Sequence, residues 1–474
     1  MKNKFNNLTS KEWLPFQKSW FRYEDDNKLY DANIRFFTKA SEGNVNIFYA
    51  GAKHQIAKDI CTRNDIAIKS LKNIGDHSIQ YAIFDLREEV TEDTTLQDYE
   101  KIRERVINDI LSLLEHIEHR RFITIFTRNV QKNEAYYTFA WDLAKHISSI
   151  LSIKDEKIAC IENTDDDKAG DVFSPKGDTF YCLHFRKDEK SNGAYEKPEL
   201  RLFENNQQQV DQMQFSNEIP AWFILKPRSR KKNEILHPAK YPEELVEQFV
   251  SEFTRENDNV FDPMSGTGST QLGALKQNRN GYGAELSEFF AQIANERCKE
   301  YIAPTQKELF DEAKNQEYKI LIKDARLIEN DDLPAIDYVI TSPPYWDMLN
   351  MKGAENQAKR KKKGLQTNYS EDKEDLGNIS DYQQFIEELT DIYFNIADLM
   401  KPGAFITIIV KNIKKKGQNY PFAWDLANSL QKKLILLPEV FWLQDDISIA
   451  PYGYGNTWVS NTFHQYCLTF QKPF

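Results

Sequence analysis

The residues best suited to chemistry lie in Ile336-Asp-Tyr-Val-Ile-Thr-Ser-Pro-Pro-Tyr-Trp346, where an apolar run ends in two consecutive prolines. Proline has no N–H group and fixes its backbone, so oxygens at Ser342 and Pro343 can point into a site. Such oxygens can accept hydrogen bonds from an exocyclic amino group, and Tyr345 and Trp346 offer faces on which a base can stack. The alternative is a rigid turn whose aromatic residues serve only packing.

A glycine-containing turn lies upstream, in Val260-Phe-Asp-Pro-Met-Ser-Gly-Thr-Gly-Ser-Thr270. Glycine has no Cβ, so the backbone can approach a ligand closely, and the helix-like segment that follows offers free N–H groups. Glu285 ends the next strand-like stretch, where a carboxylate can accept both hydroxyls of a ribose. Asp324 ends a further apolar run, where it could accept from an adenine amino group. Each acid alone is typical of a surface, but at successive strand ends they predict a nucleoside cofactor site.

These segments resemble the DNA amino-methyltransferases, which modify N4 of cytosine or N6 of adenine. Residues 262–269 resemble the methionine-binding loop of that family, 341–345 its catalytic motif, and 237–245 the segment that precedes the cofactor loop. The order of the three is one of the family's permutations, and the resemblance covers roughly residues 220–474. Met264 departs from the family, which usually has an aromatic residue there.

The resemblance implies S-adenosylmethionine as the cofactor and no metal. The cofactor-binding residues that it implies are His237, Pro238, Asp262, Pro263, Ser265, Gly266, Gly268, Glu285 and Asp324, and the catalytic residues are Ser342, Pro343, Pro344 and Tyr345. The implied reaction is direct attack of the amino nitrogen on the sulfonium methyl, with positioning as the main source of rate. No Pro-Cys motif supplies the thiol that methylation at carbon 5 would need.

The target base follows from one residue of the motif. SPPY is commoner in the cytosine-N4 enzymes of this family, whereas DPPY and NPPY are commoner in the adenine-N6 enzymes, so Ser342 favours N4 of cytosine in DNA. The alternatives are an N6-adenine DNA methyltransferase, an RNA amino-methyltransferase and, more remotely, a non-enzymatic nucleic-acid-binding protein. The family resemblance also suggests a restriction-modification system and leaves a companion restriction endonuclease open.

The charge of the chain is unevenly distributed. The 62 Lys and Arg residues against 73 Asp and Glu residues give a net charge of −11, which argues against polyanion binding over the whole surface. Basic residues nevertheless cluster in 221–240, in 352–363 and in 411–416, which predicts a focused phosphate-binding surface, with solvated loops as the alternative. The predicted nucleic-acid contacts are Arg228, Arg230, Lys231, Lys232, Lys359, Arg360, Lys361, Lys362 and Lys363.

Composition narrows the class of protein further. The five cysteines form no CxxC pair, which is typical of buried thiols in a reducing compartment rather than of disulfides or a zinc site. No run reaches the roughly 18 apolar residues of a membrane span, and the first residues lack the apolar region of a secretion signal. The sequence therefore predicts a cytoplasmic protein that does not bind membranes.

The elements that must position these residues recur along the chain. Residues 98–144 align without a gap to 381–427, with sixteen identities that include FITI and FAWDLA. Each copy alternates helix, strand and helix, which predicts an α/β fold with two Rossmann-like domains, each a mostly parallel twisted sheet covered by helices on both faces. We expect a first domain over residues 1–200, a linker over 201–220 and the catalytic methyltransferase domain over 221–474.

The first domain lacks the reactive groups. Where the second half has Thr341 to Tyr345, the first has Phe84-Asp-Leu-Arg-Glu88, and it contains no glycine loop of the kind seen at 262–268. We predict a catalytically degenerate copy that packs on the active half as a pseudo-dimer within a monomer, with a homodimer as the alternative. It either helps to hold DNA or only stabilises the second half.

Overall fold

The computed structural model describes residues 6–39, 44–76, 78–132, 135–162, 172–173, 177–189, 191, 195, 197–198, 202, 219–226, 241–303, 315–346, 376–415, 417–445 and 460–474. Statements about the structure refer to these residues. His237, Pro238 and all the predicted nucleic-acid contacts, which are Arg228, Arg230, Lys231, Lys232 and residues 359–363, lie outside them.

The first half forms one sheet and one small hairpin. Its strands are β1 (Trp20–Arg22), β2 (Val45–Gly51), β3 (Ile66–Lys69), β4 (Ile79–Asp85), β5 (Ile117–Thr127), β6 (Val130–Lys132), β7 (Ala135–Tyr137), β8 (Ser152–Cys160) and β9 (Thr179–Arg186). Its helices are α1 (Ser10–Phe16), α2 (Asp26–Phe37), α3 (His54–Arg63), α4 (Leu96–Leu113) and α5 (Phe139–Ser148). The seven-stranded sheet has the order β1-β8-β9-β5-β4-β2-β3, and β6 pairs with β7.

The second half forms a nine-stranded sheet and a similar hairpin. Its strands are β10 (Trp222–Ile224), β11 (Asn259–Asp262), β12 (Asn280–Glu285), β13 (Tyr318–Ile322), β14 (Ile336–Thr341), β15 (Met400–Val410), β16 (Ile413–Lys415), β17 (Gln418–Tyr420), β18 (Ile435–Leu436), β19 (Val440–Leu443) and β20 (His464–Gln471). Its helices are α6 (Glu243–Phe253), α7 (Ser269–Lys276), α8 (Glu288–Ile302), α9 (Tyr382–Leu399) and α10 (Phe422–Leu430). The sheet order is β10-β19-β20-β15-β14-β11-β12-β13, with β18 on β20.

The two sheets are parallel except around one strand in each. β9 runs antiparallel to β5 and β8, and β20 runs antiparallel to β15 and β19, whereas the remaining pairs along the two orders are parallel. Parallel strands covered on both faces favour continuous apolar runs, and all seven residues of β4 are buried. The predicted α/β class with parallel-dominated sheets is confirmed.

The two sheets also share one strand order. β1, β8, β9, β5, β4, β2 and β3 occupy the places that β10, β19, β20, β15, β14, β11 and β12 occupy in the second half, and β13 is added at the far edge. Both central pairs even carry a register shift at the same place, after Ile79 and after Ile336. The duplication and the domain bounds remain predictions, which this correspondence supports.

The helices described in the structure include none that is long and apolar enough to cross a membrane. The five cysteines are all buried as free thiols, as expected for packing residues.

The halves meet through pairs of equivalent side chains. Trp141 of α5 stacks on Trp424 of α10, with ring centres 6.2 Å apart and planes 13° from parallel. The second half places the buried Glu439 against the first, where Asn129 Nδ2 and the Tyr181 hydroxyl donate to its Oε1 at 3.0 and 2.8 Å. The reciprocal contact is made by the buried Glu156 of the first half, to which Asn412 and Tyr466 donate. Each half therefore supplies an acceptor to the other.

We expect Glu439 to make the stability of this interface depend on pH. Burial raises the pKa of Glu439 from 4.5 to about 7. The folded protein therefore holds one proton more than the unfolded chain between these values, and the free energy of unfolding falls as the pH rises through this window. Glu439→Gln keeps a neutral side chain throughout. Its free energy of unfolding, relative to wild type, should increase by up to about 3 kcal/mol between pH 5 and pH 8 in urea titrations. A difference that does not change with pH would contradict the assignment.

Candidate active site

The carboxylate of Asp262 joins the two motifs. Asp262 ends β11 and is 1% exposed. Its Oδ1 accepts from the backbone N–H of Met264 at 2.9 Å and from the hydroxyl of Thr341 at 2.7 Å. Its Oδ2 accepts from the hydroxyls of Tyr241 and Thr270, both at 2.8 Å. One side chain thus connects the glycine loop, the start of α7 and the end of β14.

The pKa of the Asp262 carboxyl group depends on burial and on its hydrogen-bond donors. Burial raises the pKa of Asp262, and the donors from Thr341, Met264, Thr270 and Tyr241 act in the opposite direction by stabilising the ionised form. A buried carboxylate needs such compensation, because it has lost its water. All four donors belong to the protein, so the side chain holds neighbouring segments together.

The glycine loop is bound to the adjacent strand. The backbone N–H of Ser265 donates to the carbonyl of Ala284 at 2.9 Å, and that of Gly266 donates to Oε2 of Glu285 at 2.8 Å. Gly266 and Gly268 have φ of 52° and 77°, a region that favours glycine. A Cβ on Gly268 would lie 2.8 Å from that of Ala294 in α8, so the turn and the helix require this residue to be small.

Glu285 and Asp324 lie at one edge of the sheet. Glu285 is paired with Ile322 across β12 and β13, and Asp324 follows two residues later. Oε1 of Glu285 accepts from the N–H of Ser287 at 2.8 Å. Burial raises the pKa of Asp324, but hydrogen bonds from Arg326 outweigh it and lower the pKa below its usual value. Both acids are therefore held in fixed orientations.

Apolar side chains accompany these acids. Leu286, Ile322 and Leu327 are exposed by 37%, 56% and 61%, which is unusual for large apolar residues clustered in sequence around two carboxylates. The arrangement can accommodate a ligand with a flat apolar part and several hydroxyl or amino donors.

The predicted catalytic segment follows β14 directly. Pro343 is buried, whereas Ser342, Pro344 and Tyr345 are partly exposed. The Tyr345 hydroxyl donates to Oε1 of Gln465 at 3.0 Å. Burial raises the pKa of Tyr345 to about 12, so the phenol keeps its proton near neutral pH. The ring can therefore serve as a stacking surface and its hydroxyl as an anchor.

Trp346, unlike Tyr345, is buried. The residue is 4% exposed, and its ring lies 5.3 Å from that of Tyr382 and 4.9 Å from that of Tyr420. Its φ of 47° is in the left-handed region, which is uncommon for a residue other than glycine. The expectation that Trp346 offers a face to a base is therefore wrong for this structure, since the indole packs within an aromatic cluster, and stacking is left to Tyr345.

The described lysines of the third basic cluster, residues 411–416, make contacts within the protein that the sequence did not predict. Lys414 forms an ion pair with the buried Asp155 of the first half, and its ammonium donates to the carbonyl of Ser460 at 2.8 Å. Lys415 lies 3.6 Å from the centre of the Trp346 ring, and Lys411 lies 5.2 Å from that of Tyr345. Burial lowers the pKa of Lys411. These lysines face the half–half contact and the aromatic residues of the site rather than forming a separate phosphate-binding patch.

Sequence reasoning missed several residues of this site. Tyr241, Thr270 and Thr341 bind Asp262, although no residue-specific role is evident from their positions in the sequence. Gln465 lies in the strand that contains the repeated YCL, far along the chain from Tyr345. Tyr241 could have been noticed, since it follows His237 and Pro238 in the segment that precedes the glycine loop.

The equivalent place in the first half is filled. β2 ends at Gly51 and α3 begins at His54, so residues 52–53 stand where residues 263–268 form the glycine loop. Arg87 donates from Nε to Asp85 Oδ1 at 2.8 Å, and its guanidinium lies 4.7 Å from the centre of the Phe180 ring. A salt-bridged arginine thus occupies the space beside the end of β4.

We expect the Asp262 contacts to contribute strongly to stability. Asp262→Ala leaves four donors without their acceptor and should lower the free energy of unfolding by about 3–5 kcal/mol. Thr341→Val removes one donor and should lower it by about 1–2 kcal/mol. Chemical denaturation of both variants measures the difference. Equal losses would show that the carboxylate is not the shared acceptor.

Comparison with known proteins shows the family of the chain. The family model described as DNA methylase matches residues 6–296, more than half of the chain. The chain is 46% identical over 66 residues to the orphan methyltransferase M.BamHII of Bacillus amyloliquefaciens, and the aligned region covers 14% of this chain and 25% of that protein. It is 37% identical over 74 residues to the Type II methyltransferase M.BglII of Bacillus subtilis, covering 16% and 21%.

A longer match extends over much of another relative. The chain is 25% identical over 239 residues to the Type II methyltransferase M.HpaI of Haemophilus parainfluenzae, covering 49% of this chain and 71% of that protein. The matches to the two Bacillus proteins span only about a quarter of their length. The predicted family is confirmed, and its cofactor is S-adenosylmethionine. The chain belongs to the DNA methylase family.

Proposed function

We propose that this protein transfers a methyl group from S-adenosylmethionine to the exocyclic N4 amino group of cytosine in DNA. The observation that carries the proposal is the hydrogen bond between Thr341 and Asp262, because it fixes the Ser342-Pro-Pro-Tyr345 segment against the glycine loop. Two segments nearly eighty residues apart in sequence thereby form one site. The relatives' names as methyltransferases support the reaction class.

The residues present fit S-adenosylmethionine. Glu285 and Asp324 offer carboxylate oxygens to ribose hydroxyls and to an adenine amino group, and the exposed Leu286, Ile322 and Leu327 offer apolar contacts to the adenine ring. The glycine loop at 262–268 would hold the methionine part with Pro263, Ser265, Gly266 and Gly268. Bound there, S-adenosylmethionine supplies an electrophilic methyl group. Asp262 contributes by shaping the loop, and contacts from His237 and Pro238 remain predictions.

The Ser342 to Tyr345 segment acts on the base. The hydroxyl of Ser342 and the carbonyl of Pro343 accept hydrogen bonds from the amino group, which directs the nitrogen lone pair toward the methyl group. As the nitrogen–carbon bond forms, the bond between the methyl carbon and the sulfonium sulfur breaks, and the amino nitrogen loses one proton to solvent. Pro344 keeps the backbone fixed. Tyr345 stacks on the base and stays protonated. Since no covalent intermediate with the protein is needed, alignment of the two reacting atoms provides most of the rate enhancement.

A hydrogen-bond donor lies beside Tyr345. Lys411 Nζ lies 5.2 Å from the centre of the Tyr345 ring and can donate a hydrogen bond to a base stacked there. Next to the amino group cytosine has the acceptor N3 and adenine has the acceptor N1, so this donor fits either base. Ser342 at the first position of the motif is what favours cytosine.

The substrate and partners follow as part of the proposal. A base inside duplex DNA must leave the helix to reach Tyr345, at a cost of a few kcal/mol. Contacts of residues 228–232 and 359–363 with phosphates, a companion restriction endonuclease and a cytoplasmic location stay predictions. Type II methyltransferases among the relatives support a role in restriction and modification.

We expect expression in a host without DNA methylation to introduce N4-methylcytosine. Mass spectrometry of nucleosides from that DNA should detect it with wild type and find at least a hundredfold less with Tyr345→Ala. Binding of S-adenosylmethionine by the purified variant should stay within about twofold of wild type, because the tyrosine serves the base. If N6-methyladenine is the only methylated nucleoside in the DNA, the target base is adenine and not cytosine. If methylated nucleosides occur only in RNA, DNA is not the substrate.

We expect Asp324 to bind the cofactor directly. Asp324→Ala should weaken binding of S-adenosylmethionine at least tenfold, about 1.4 kcal/mol, as measured by calorimetry. Arg326→Gln is the matched control, because it removes the same ion pair and leaves the carboxylate in place. If both variants weaken binding equally, the loss reflects the ion pair and not a contact with the cofactor.

A further inference from the structure

We propose that Glu156, in the half without the catalytic motif, is a positioning residue for Tyr345. This inference rests on the proposed function and gives the first half a part in the reaction beyond holding DNA or stabilising its partner. Glu156 lies in β8, is 2% exposed and makes side-chain hydrogen bonds with the second half.

Three side chains of the second half bind the Glu156 carboxylate. Asn412 Nδ2 donates to both oxygens, at 2.9 and 3.0 Å. The Tyr466 hydroxyl donates to Oε2 at 3.1 Å, and His464 Nε2 lies 3.3 Å from Oε1. All four residues are buried. Such a network fixes each member, since a buried donor that loses its acceptor is costly.

The residues next to these partners surround Tyr345. Gln465 lies between His464 and Tyr466 in β20, and alternation along a strand sends its side chain to the opposite face. There its Oε1 accepts a hydrogen bond from the Tyr345 hydroxyl at 3.0 Å. Lys411 precedes Asn412, and its ammonium lies over the Tyr345 ring.

A third contact reaches the same ring through α10. Oδ1 of Asn412 accepts from the backbone N–H of Ala423 at 2.9 Å and so holds the first turn of that helix. The preceding residue, Phe422, packs edge-on against Tyr345, with ring centres 6.5 Å apart and planes at 88°. The hydroxyl, the face and the edge of Tyr345 are thus each contacted by a sequence neighbour of a residue in the Glu156 network.

The pseudo-symmetric glutamate lacks this connection. Glu439 is bound by Asn129 and Tyr181 as Glu156 is bound by Asn412 and Tyr466. Phe180, which matches Gln465 at the repeat offset of 285, packs under the Arg87 guanidinium in the filled site of the first half. Tyr181, which binds Glu439, is hydrogen-bonded to Tyr466 of the Glu156 network. Removing Glu439 therefore perturbs the same interface one contact further from Tyr345, which makes it a matched control.

The consequence is that Glu156 acts on catalysis through orientation. A ring that stacks on an extruded base has to be held in one orientation, because misplacement by about 1 Å can cost a hundredfold in rate. Among the described residues, the hydrogen bonds of the network involve none of those predicted to bind the cofactor. Its loss should lower kcat and leave cofactor binding unchanged.

The test compares Glu156→Ala with Glu439→Ala in the full chain, with unmethylated DNA as substrate. We expect kcat to fall at least tenfold for Glu156→Ala and less than twofold for Glu439→Ala, while KM for S-adenosylmethionine stays within twofold in both. Glu156→Gln, whose amide oxygen still accepts from Asn412, should recover at least half of the wild-type kcat. Equal kcat for the two alanine variants would overturn the positioning role.

Gln465→Leu keeps the inference testable if Glu156→Ala does not fold. It removes the contact with the Tyr345 hydroxyl and leaves the glutamate and its partners in place. We expect the melting temperature to stay within a few degrees and kcat to fall at least tenfold, and wild-type kcat would contradict the proposal. An inactive wild type would refute the proposed function itself, which separates that failure from failure of the Glu156 inference.

Discussion

The buried carboxylate of Asp262 is the constraint on which the site depends. A buried carboxyl group that has lost its water is stable only when hydrogen-bond partners surround it, and here the donors come from the glycine loop, from α7, from Tyr241 and from Thr341. These hydrogen bonds hold the glycine loop and β14 in one relative position. The loop could not move away without leaving a buried carboxyl group and its donors unpaired, so the stability of the protein and the geometry of the proposed site are connected at this residue.

The contact between the halves applies the same physics twice. Glu156 and Glu439 are exchanged acceptors: each lies in one half and is bound by an asparagine and a tyrosine of the other. Reciprocal contacts of this kind are typical of two-fold dimers, which supports duplication of a domain that once paired with itself. The two sides then differ. His464 contacts Glu156, and the residues next to this network contact Tyr345. Tyr181, which binds Glu439, is instead preceded by Phe180, which packs against Arg87 in the filled site of the first half.

The sequence predicted those features that depend on local pattern. The apolar run at 336–341 became β14, the glycine turn lies between β11 and α7 as expected, and the repeat at an offset of 283 residues corresponds to equivalent strands and helices. Each follows from periodicity or from glycine and proline, whose backbone preferences are intrinsic. The family could be recognised for the same reason, since its motifs are short and contiguous.

The orientation of side chains could not be predicted in this way. Trp346 was expected to face a base and is buried, because its ring packs against aromatic residues that are distant in sequence. Lys414 belongs to a basic run, yet its partner Asp155 is 259 residues away. Glu156 carries no motif at all. Contacts across the interface depend on how two sheets pack, and a single sequence contains no local signal for that.

In the proposed function, one site built from the glycine loop and the Ser342 to Tyr345 segment serves the whole chain. A crystal structure of the full chain with S-adenosylhomocysteine tests this most directly. We expect one ligand per chain, with its ribose at Glu285, its adenine near Asp324 and its sulfur directed toward Pro343. A ligand bound beside Asp85 and Arg87 in the first half, or one in each half, would contradict it.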